Sequence, residues 1–422
     1  MKAPIAYRPD IEHRKPDEDE TIGGLRDALG EILETTAETH DHAIRSVHAK
    51  AHGVLQARLT VLSDLPAEYA QGLFATPGTH QAIMRFSTNP GDILDDFIAL
   101  PRGLAVKVLD VEGARLAGSE GESVQDFVMI NAPVFSAPSA KAFLANLKLL
   151  AKTTDRAQWA KKGLSAAMRG AETLLETAGA QSATLQGLGG APQTHPLGET
   201  YYTATPYRFG RFVAKIRVKP DSPSVAALAG RTVSALDRPD ALREEILAVA
   251  GSNWMGWQVQ VQLCRDPDAM PIEDPTVEWS EDLSPFVTVA RLEAGPQVSF
   301  HPRITQDFDD RSRFSPWTGL KAHEPLGEIN RARRGVYAMS AEFRERFNRC
   351  PIHQPRRLED LPFPDKGGVR PTLPRRTMPD GPHRGREGIM DMPPGAMLAL
   401  GLGAAVLGFV LYGTLSRRGD RG

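Results

Sequence analysis

The chain has 422 residues, 41% hydrophobic and 24% charged, with a formal net charge of -2 from 50 basic and 52 acidic side chains. This is ordinary globular composition, large enough for one or two cores, and the near-balanced charge supplies no field to gather nucleic acid. Two cysteines, Cys264 and Cys350, exclude a disulfide scaffold and a cysteine-based zinc site and suit a reducing compartment. The N-terminus, MKAPIAYRPDIEHRKPDEDE, lacks the apolar run of a secretory signal.

Residues 1–40 read as a polar arm followed by an amphipathic helix, since Ile22, Leu25, Leu29, Ile32 and Leu33 recur at helical spacing after Thr21. Residues 41–350 form the predicted body. Strand alternation appears in the second half of Arg45 to Leu62, in Gln81 to Thr88 and in Gly103 to Val111, with a short apolar run at Phe127 to Ile130. Ala-, Leu- and Lys-rich stretches then predict helices at Lys141 to Leu150 and Arg156 to Ala178, followed by a Gly-rich connector at Gln181 to Gly190. Strands return at Phe212 to Val218, Met255 to Cys264 and Phe286 to Leu292, with a helix from Pro239 to Val249. In Met255 to Cys264, Trp257, Val259, Val261 and Leu263 share one face. Two batches of strands around a helical insertion predict an α+β fold with an antiparallel, barrel-like sheet.

Residues 351–394 are rich in proline and arginine, the composition of an extended linker. They lead to an uncharged run at 395–416, of which Ala396 to Leu415 matches the roughly 30 Å hydrocarbon core of a bilayer. Tyr412 sits near one end, and the basic tail 417–422 carries Arg417, Arg418 and Arg421. The expectation is a single C-terminal transmembrane anchor on a cytoplasmic body.

The last helix of the body spans Asn330 to Asn348. Arg333, Tyr337 and Arg344 fall within about 40° of one another around its axis, beside an apolar stripe of Val336, Met339, Phe343 and Phe347. Alone, that pattern describes an amphipathic surface helix with a half-buried tyrosine.

Three upstream pieces change its meaning: Arg45-Ser46-Val47-His48-Ala49-Lys50, Met84-Arg85-Phe86-Ser87-Thr88, and Pro101-Arg102-Gly103-Leu104-Ala105-Val106-Lys107. With Arg333-x-x-x-Tyr337 and Arg344 seven residues on, their order resembles the heme catalase family, in its compact catalase-related branch. Asp274 to Trp279 resembles that family's D-x-T-x-x-W segment. The likeness runs from about His42 to Arg344 and implies a catalase-like antiparallel β-barrel with helical insertions, binding heme b. It implies that Tyr337 is the phenolate ligand of the heme iron, with Arg333 one turn away supplying positive charge. His48 is implied as the distal general base, Ser87 as the acceptor that sets its tautomer, and Arg45, Arg85 and Arg344 as partners of the heme propionates. Val47 matches the apolar residue that narrows the distal channel. Strict strand alternation would point Arg45 and His48 to opposite sides, so the assignment requires an irregular start to the first strand.

Departures from the family pattern matter as well. Ser123 stands where a distal asparagine is expected, with Gln125 and Asn131 as replacements only under a register slip, and Ala338 replaces the proline after the ligand tyrosine. The implied activity is breakdown of hydroperoxides, H2O2 by catalase or peroxidase chemistry. The alternatives are a peroxidase or isomerase of fatty-acid or organic hydroperoxides, of the allene oxide synthase kind, and a membrane-tethered heme-binding module with little activity. The resemblance also admits a homo-oligomer. Elsewhere, His40, His42, His48 and His52 with Asp41 make a weak metal candidate, because no carboxylate partner repeats. Gly187 to Gly190 lacks a preceding strand and reads as a loop, and Tyr201, Tyr202, Tyr207 and Phe209 read as barrel packing.

Overall fold

Nine strands alternate inward and outward around one apolar interior in the computed structural model, which describes residues 1–151 and 193–363. They are β1 (Ala51–Val61), β2 (Gly78–Thr88), β3 (Arg102–Val108), β4 (Gln125–Ile130), β5 (Tyr201–Tyr202), β6 (Tyr207–Phe209), β7 (Phe212–Pro220), β8 (Met255–Leu263) and β9 (Val287–Ala294). All pairings are antiparallel, in the order β5-β4-β3-β2-β1-β9-β8-β7-β6. β5 also pairs with β7, so eight strands close into a barrel and β6 extends it as a hairpin. Closure leaves no exposed sheet edge around the ring.

Side-chain alternation decides which face becomes core. Leu55, Met84, Phe86, Leu104, Val106 and Phe127 point inward with Trp257, Val259, Val261 and Leu263, the set predicted to share a face. Tyr201, Tyr207 and Phe209 are wholly buried, as expected of barrel packing, whereas Tyr202 is only half-buried and its ring meets that of Phe286 at 6.2 Å. The opposite face of β1 to β4 is also covered, because Val54, Ile83 and Val128 pack with Phe308 and Phe314 from later in the chain. Here the outer wall is a second interior surface.

The helices are α1 (Glu18–His40), α2 (Ala140–Ala151), α3 (Pro223–Ala226), α4 (Ala241–Ala250), α5 (Pro302–Arg311) and α6 (Glu328–Asn348). α6 starts at Gly327, whose φ of 87° favours glycine, and stops at the left-handed Arg349. Its buried stripe of Ile329, Ala332 and Val336 packs on Leu25, Ala28 and Leu29 of α1 and Ala140 of α2. The stripe read from sequence reaches too far: Phe343 and Phe347 stack on each other and Phe347 is 44% exposed. Beyond Phe347, Ile352 to Leu361 return to the barrel, where Gln354 accepts from Lys107 (2.7 Å) and Leu361 is buried.

The predicted helix Arg156 to Ala178, the connector Gln181 to Gly190 and the predicted span Ala396 to Leu415 lie outside the described residues. Among the described residues no helix is long and apolar enough to cross a membrane.

Candidate active site

The site lies between the outer wall of β1 to β4 and α6. Residues Arg45 to Lys50 do not join β1 but form a loop pinned on two sides. His48 N–H donates to the Asn89 carbonyl (2.7 Å) and Ala49 N–H to the Pro90 carbonyl (3.0 Å). Ser46 N–H donates to Ser340 Oγ on α6 (3.3 Å). Within this loop His48 adopts a left-handed conformation, φ 54°. For a residue with a Cβ that costs about 1–2 kcal/mol. The loop is the irregularity needed to bring Arg45 and His48 to one side.

His48 Nδ1 lies 3.1 Å from Ser87 Oγ. Across the sheet Ser87 pairs with Gly103, and a Cβ on Gly103 would fall 2.5 Å from His48 Nδ1 and closer still to Cε1. The missing side chain therefore makes the notch in which the imidazole rests. Burial, then the guanidiniums of Arg85, Arg333 and Arg45, lower the His48 pKa to about 3, so the ring is neutral at physiological pH.

Arg45, Ser46, Val47, His48, Arg85, Ser87, Tyr337 and Arg344 line one cavity, closed further by Ala105, Val128 and Phe314. Its empty volume, open mouth included, is about 570 Å³. His48 enters it from the loop before β1 and Tyr337 from α6. Arg333 is not among the lining residues. Its Nη1 donates to Asn330 Oδ1 (3.1 Å) and Thr205 Oγ1 (3.4 Å), with Cζ 5.4 Å from the Phe135 ring centre. The side-chain partners of this guanidinium are thus neutral.

The other three arginines converge on the end of α5. Arg85 holds the Asp309 carboxylate at two points, Nε to Oδ1 (2.7 Å) and Nη2 to Oδ2 (3.0 Å). Arg45 Nη2 reaches Asp309 Oδ1 and the Ser312 carbonyl, both at 3.1 Å, and Arg344 donates to the main-chain carbonyls of Asp309 (2.6 Å) and Ser312 (3.2 Å). Burial pushes the Asp309 carboxyl up, but Arg85 and Arg45 outweigh it and hold the pKa down to about 2. Burial first, then neighbouring guanidiniums, lower Arg45 and Arg344. Two guanidiniums share the Asp309 carboxylate and Arg344 reaches only main-chain carbonyls beside it, leaving a surplus of positive charge. The buried Nε atoms of Arg45 and Arg344 have no hydrogen-bond partner among the described residues.

Ser123 does not line the His48 cavity; it lines a second, polar one with Glu122 and Gln354, and Arg313 lines both. Gln125 accepts from Leu320 N–H (2.8 Å) and Asn131 from Arg102 N–H (2.8 Å). On β4 the residue in line with Arg85 and Ala105 is Val128, so the wall beside His48 is apolar where an amide was sought. The histidine cluster is dispersed: His40 pairs with Asp92 (3.2 Å), His42 with Asp310 (2.8 Å), and His52 lies buried near Thr88 (3.3 Å).

Sequence reasoning missed Asp309, Phe314 and the steric part played by Gly103. Gly103 belongs to the Pro101 to Lys107 motif, and a glycine facing Ser87 is the signal for the notch. Asp309 had no comparable signal, because α5 buries only Thr305 and Phe308 and its acidic residues read as a solvated face.

A closed antiparallel barrel with an aromatic and basic helix laid across its outer wall defines a catalase-like fold. The chain is similar to catalase A from Saccharomyces cerevisiae, at 17% identity and a TM-score of 0.53 over 92% of this chain and 78% of that one. It is also similar to a fungal catalase (16%, TM-score 0.50, 96% and 88%) and to a bacterial catalase (18%, TM-score 0.50, 81% and 63%). No family model and no curated protein matches the sequence.

Proposed function

We propose that this protein is a heme-dependent oxidoreductase acting on hydroperoxides. The observation that carries the reading is that His48, from the loop before β1, and Tyr337, from α6, line one cavity beside a surplus of buried arginine charge. An anionic, planar group fits these residues. Tyr337 would supply the oxygen ligand for iron. Arg45 and Arg344, with unpartnered buried Nε atoms, would hold the carboxylates of heme b. When bound, heme supplies a ferric centre able to take oxidising equivalents from a hydroperoxide.

The protein's own share is proton handling. With Nδ1–H donating to Ser87 Oγ, His48 Nε2 carries a free lone pair toward the cavity. It can take a proton from one peroxide oxygen and return it to the other as the O–O bond opens. Its lowered pKa keeps the ring neutral, so that lone pair is unprotonated at physiological pH.

A second reading, turnover of organic or fatty-acid hydroperoxides, is favoured by the apolar wall of Val47, Ala105, Val128 and Phe314. An alkyl substituent packs there at no polar cost, while H2O2 loses a hydrogen bond it would have made to an amide.

Absorption spectra of heme-loaded wild type and Tyr337→Phe test the reading. A ferric tyrosinate spectrum present only in the wild type is expected. Failure to bind heme, or a spectrum that survives the substitution, refutes it. Oxygen release from H2O2 that is lost in His48→Ala assigns catalase chemistry; faster consumption of an organic hydroperoxide without oxygen release assigns the second reading.

A further inference from the structure

Arg85 is expected from the family resemblance to pair with cofactor carboxylates, yet its donors are otherwise engaged. Nη1 donates to the His48 carbonyl (3.0 Å) and Nη2 to the Ala49 carbonyl (3.3 Å). Nε and Nη2 both reach Asp309 (2.7 and 3.0 Å). These contacts use four of the five guanidinium hydrogens. The two carbonyls belong to the loop in which His48 adopts its left-handed φ of 54°. An unfavourable backbone conformation persists only where surrounding contacts over-determine it. Here the N–H groups of His48 and Ala49 are held from the Asn89–Pro90 turn, and their carbonyls by Arg85.

Arg85 is itself aimed from elsewhere. It is 2% exposed, and its two-point pairing with Asp309 fixes the plane of the guanidinium. Asp309 lies on α5, outside the barrel, so the placement of that helix is transmitted to the imidazole. Arg45, at the start of the same loop, also pairs with Asp309 (3.1 Å) and Ser312, whereas the carbonyls at the turn itself, His48 and Ala49, are held by Arg85.

We propose that Asp309, acting through Arg85, is a positioning residue that clamps the left-handed turn at His48, and that Arg85 belongs to this clamp while Arg45 and Arg344 meet the cofactor's carboxylates. The inference rests on reading His48 as the distal base, but the clamp itself can be measured without heme.

The test is nuclear magnetic resonance of the heme-free full chain labelled with 13C and 15N at histidine, with His48 assigned by the signals lost in His48→Gln. In Asp309→Asn, the His48 Cα and Cβ shifts are expected to leave the left-handed range, and the Nδ1 shift to report loss of the Ser87 contact. Affinity for heme should stay within about threefold of wild type while hydroperoxide turnover falls on the order of tenfold to a hundredfold. Should Asp309→Asn fail to fold, Arg85→Lys keeps the charge but cannot hold two carbonyls and a carboxylate together, and should shift the same signals. His48 signals unchanged in the folded variant overturn the clamp. Heme binding tightened tenfold with those signals unchanged would instead make Asp309 a competitor of the cofactor's carboxylates. Because the signals are read without heme, a failed clamp and a failed heme assignment remain separate results.

Discussion

Gly103→Ala is the smallest change aimed at the distal side. The added Cβ would sit 2.5 Å from His48 Nδ1 and nearer to Cε1, whereas non-bonded heavy atoms rest at about 3.5–4.0 Å. The ring must therefore retreat by roughly 1 Å, and a displacement of that size costs on the order of a hundredfold in rate. A hundredfold corresponds to about 2.7 kcal/mol of barrier. Gly103 does not have a positive φ, so the effect is steric, and overpacking of this kind destabilises the fold by about 1–3 kcal/mol. Tyr337 comes from α6, so the heme spectrum should be preserved. Steady-state turnover of H2O2 and of an organic hydroperoxide, measured on heme-loaded protein with matched absorption, decides it. A variant within threefold of wild type would refute the notch as the seat of the imidazole.

Acid stability should follow the buried histidines. Burial, with nearby positive charge for His48 and His195, lowers His48 to about 3 and His195 and His323 to about 4. The unfolded chain protonates them near 6.5, so between those values it binds more protons and stability falls as pH drops. For His48 the loss between pH 7 and 4.5 is at most about 2.5 kcal/mol, and nearer 1 once solvent reaching its cavity-facing ring is counted. Urea titrations of heme-free His48→Gln should show a correspondingly shallower loss than wild type, and an identical pH dependence would refute it. Asp309 acts lower on the scale: its stabilisation is present above the ordinary carboxylate pKa near 3.8 and is lost as pH falls toward about 2. For the uncharged run at 396–415, membranes washed with carbonate should retain the full chain, while a chain ending at Phe363 stays soluble. Full-length protein in the supernatant would refute the anchor.

The barrel was legible because alternation is a local property. A strand such as Met255 to Leu263 shows its buried face in sequence, and the two batches of strands implied an antiparallel sheet. The short β5 and β6 were not legible, since their pairing comes from partners far along the chain. Of the predicted site residues, Arg45, His48, Arg85, Ser87, Tyr337 and Arg344 meet at one cavity, while Arg333 stands behind it on Asn330 and Thr205. Aligning Phe127 to Pro133 with the family's apolar strand puts Ser123 at the expected asparagine, but the residue of β4 that lines the cavity is Val128.

The sequence by itself determined the strands, the helix bearing Tyr337, and the residue types that the candidate site gathers, because periodicity and motif order are written in neighbouring residues. Tertiary structure alone decided how those residues are held. The left-handed turn at His48, the notch at Gly103 and the convergence of three arginines on Asp309 join segments up to about three hundred residues apart. None has a local signature. Each is a close approach between surfaces that exist only once the barrel has closed and α5 and α6 have packed against its wall.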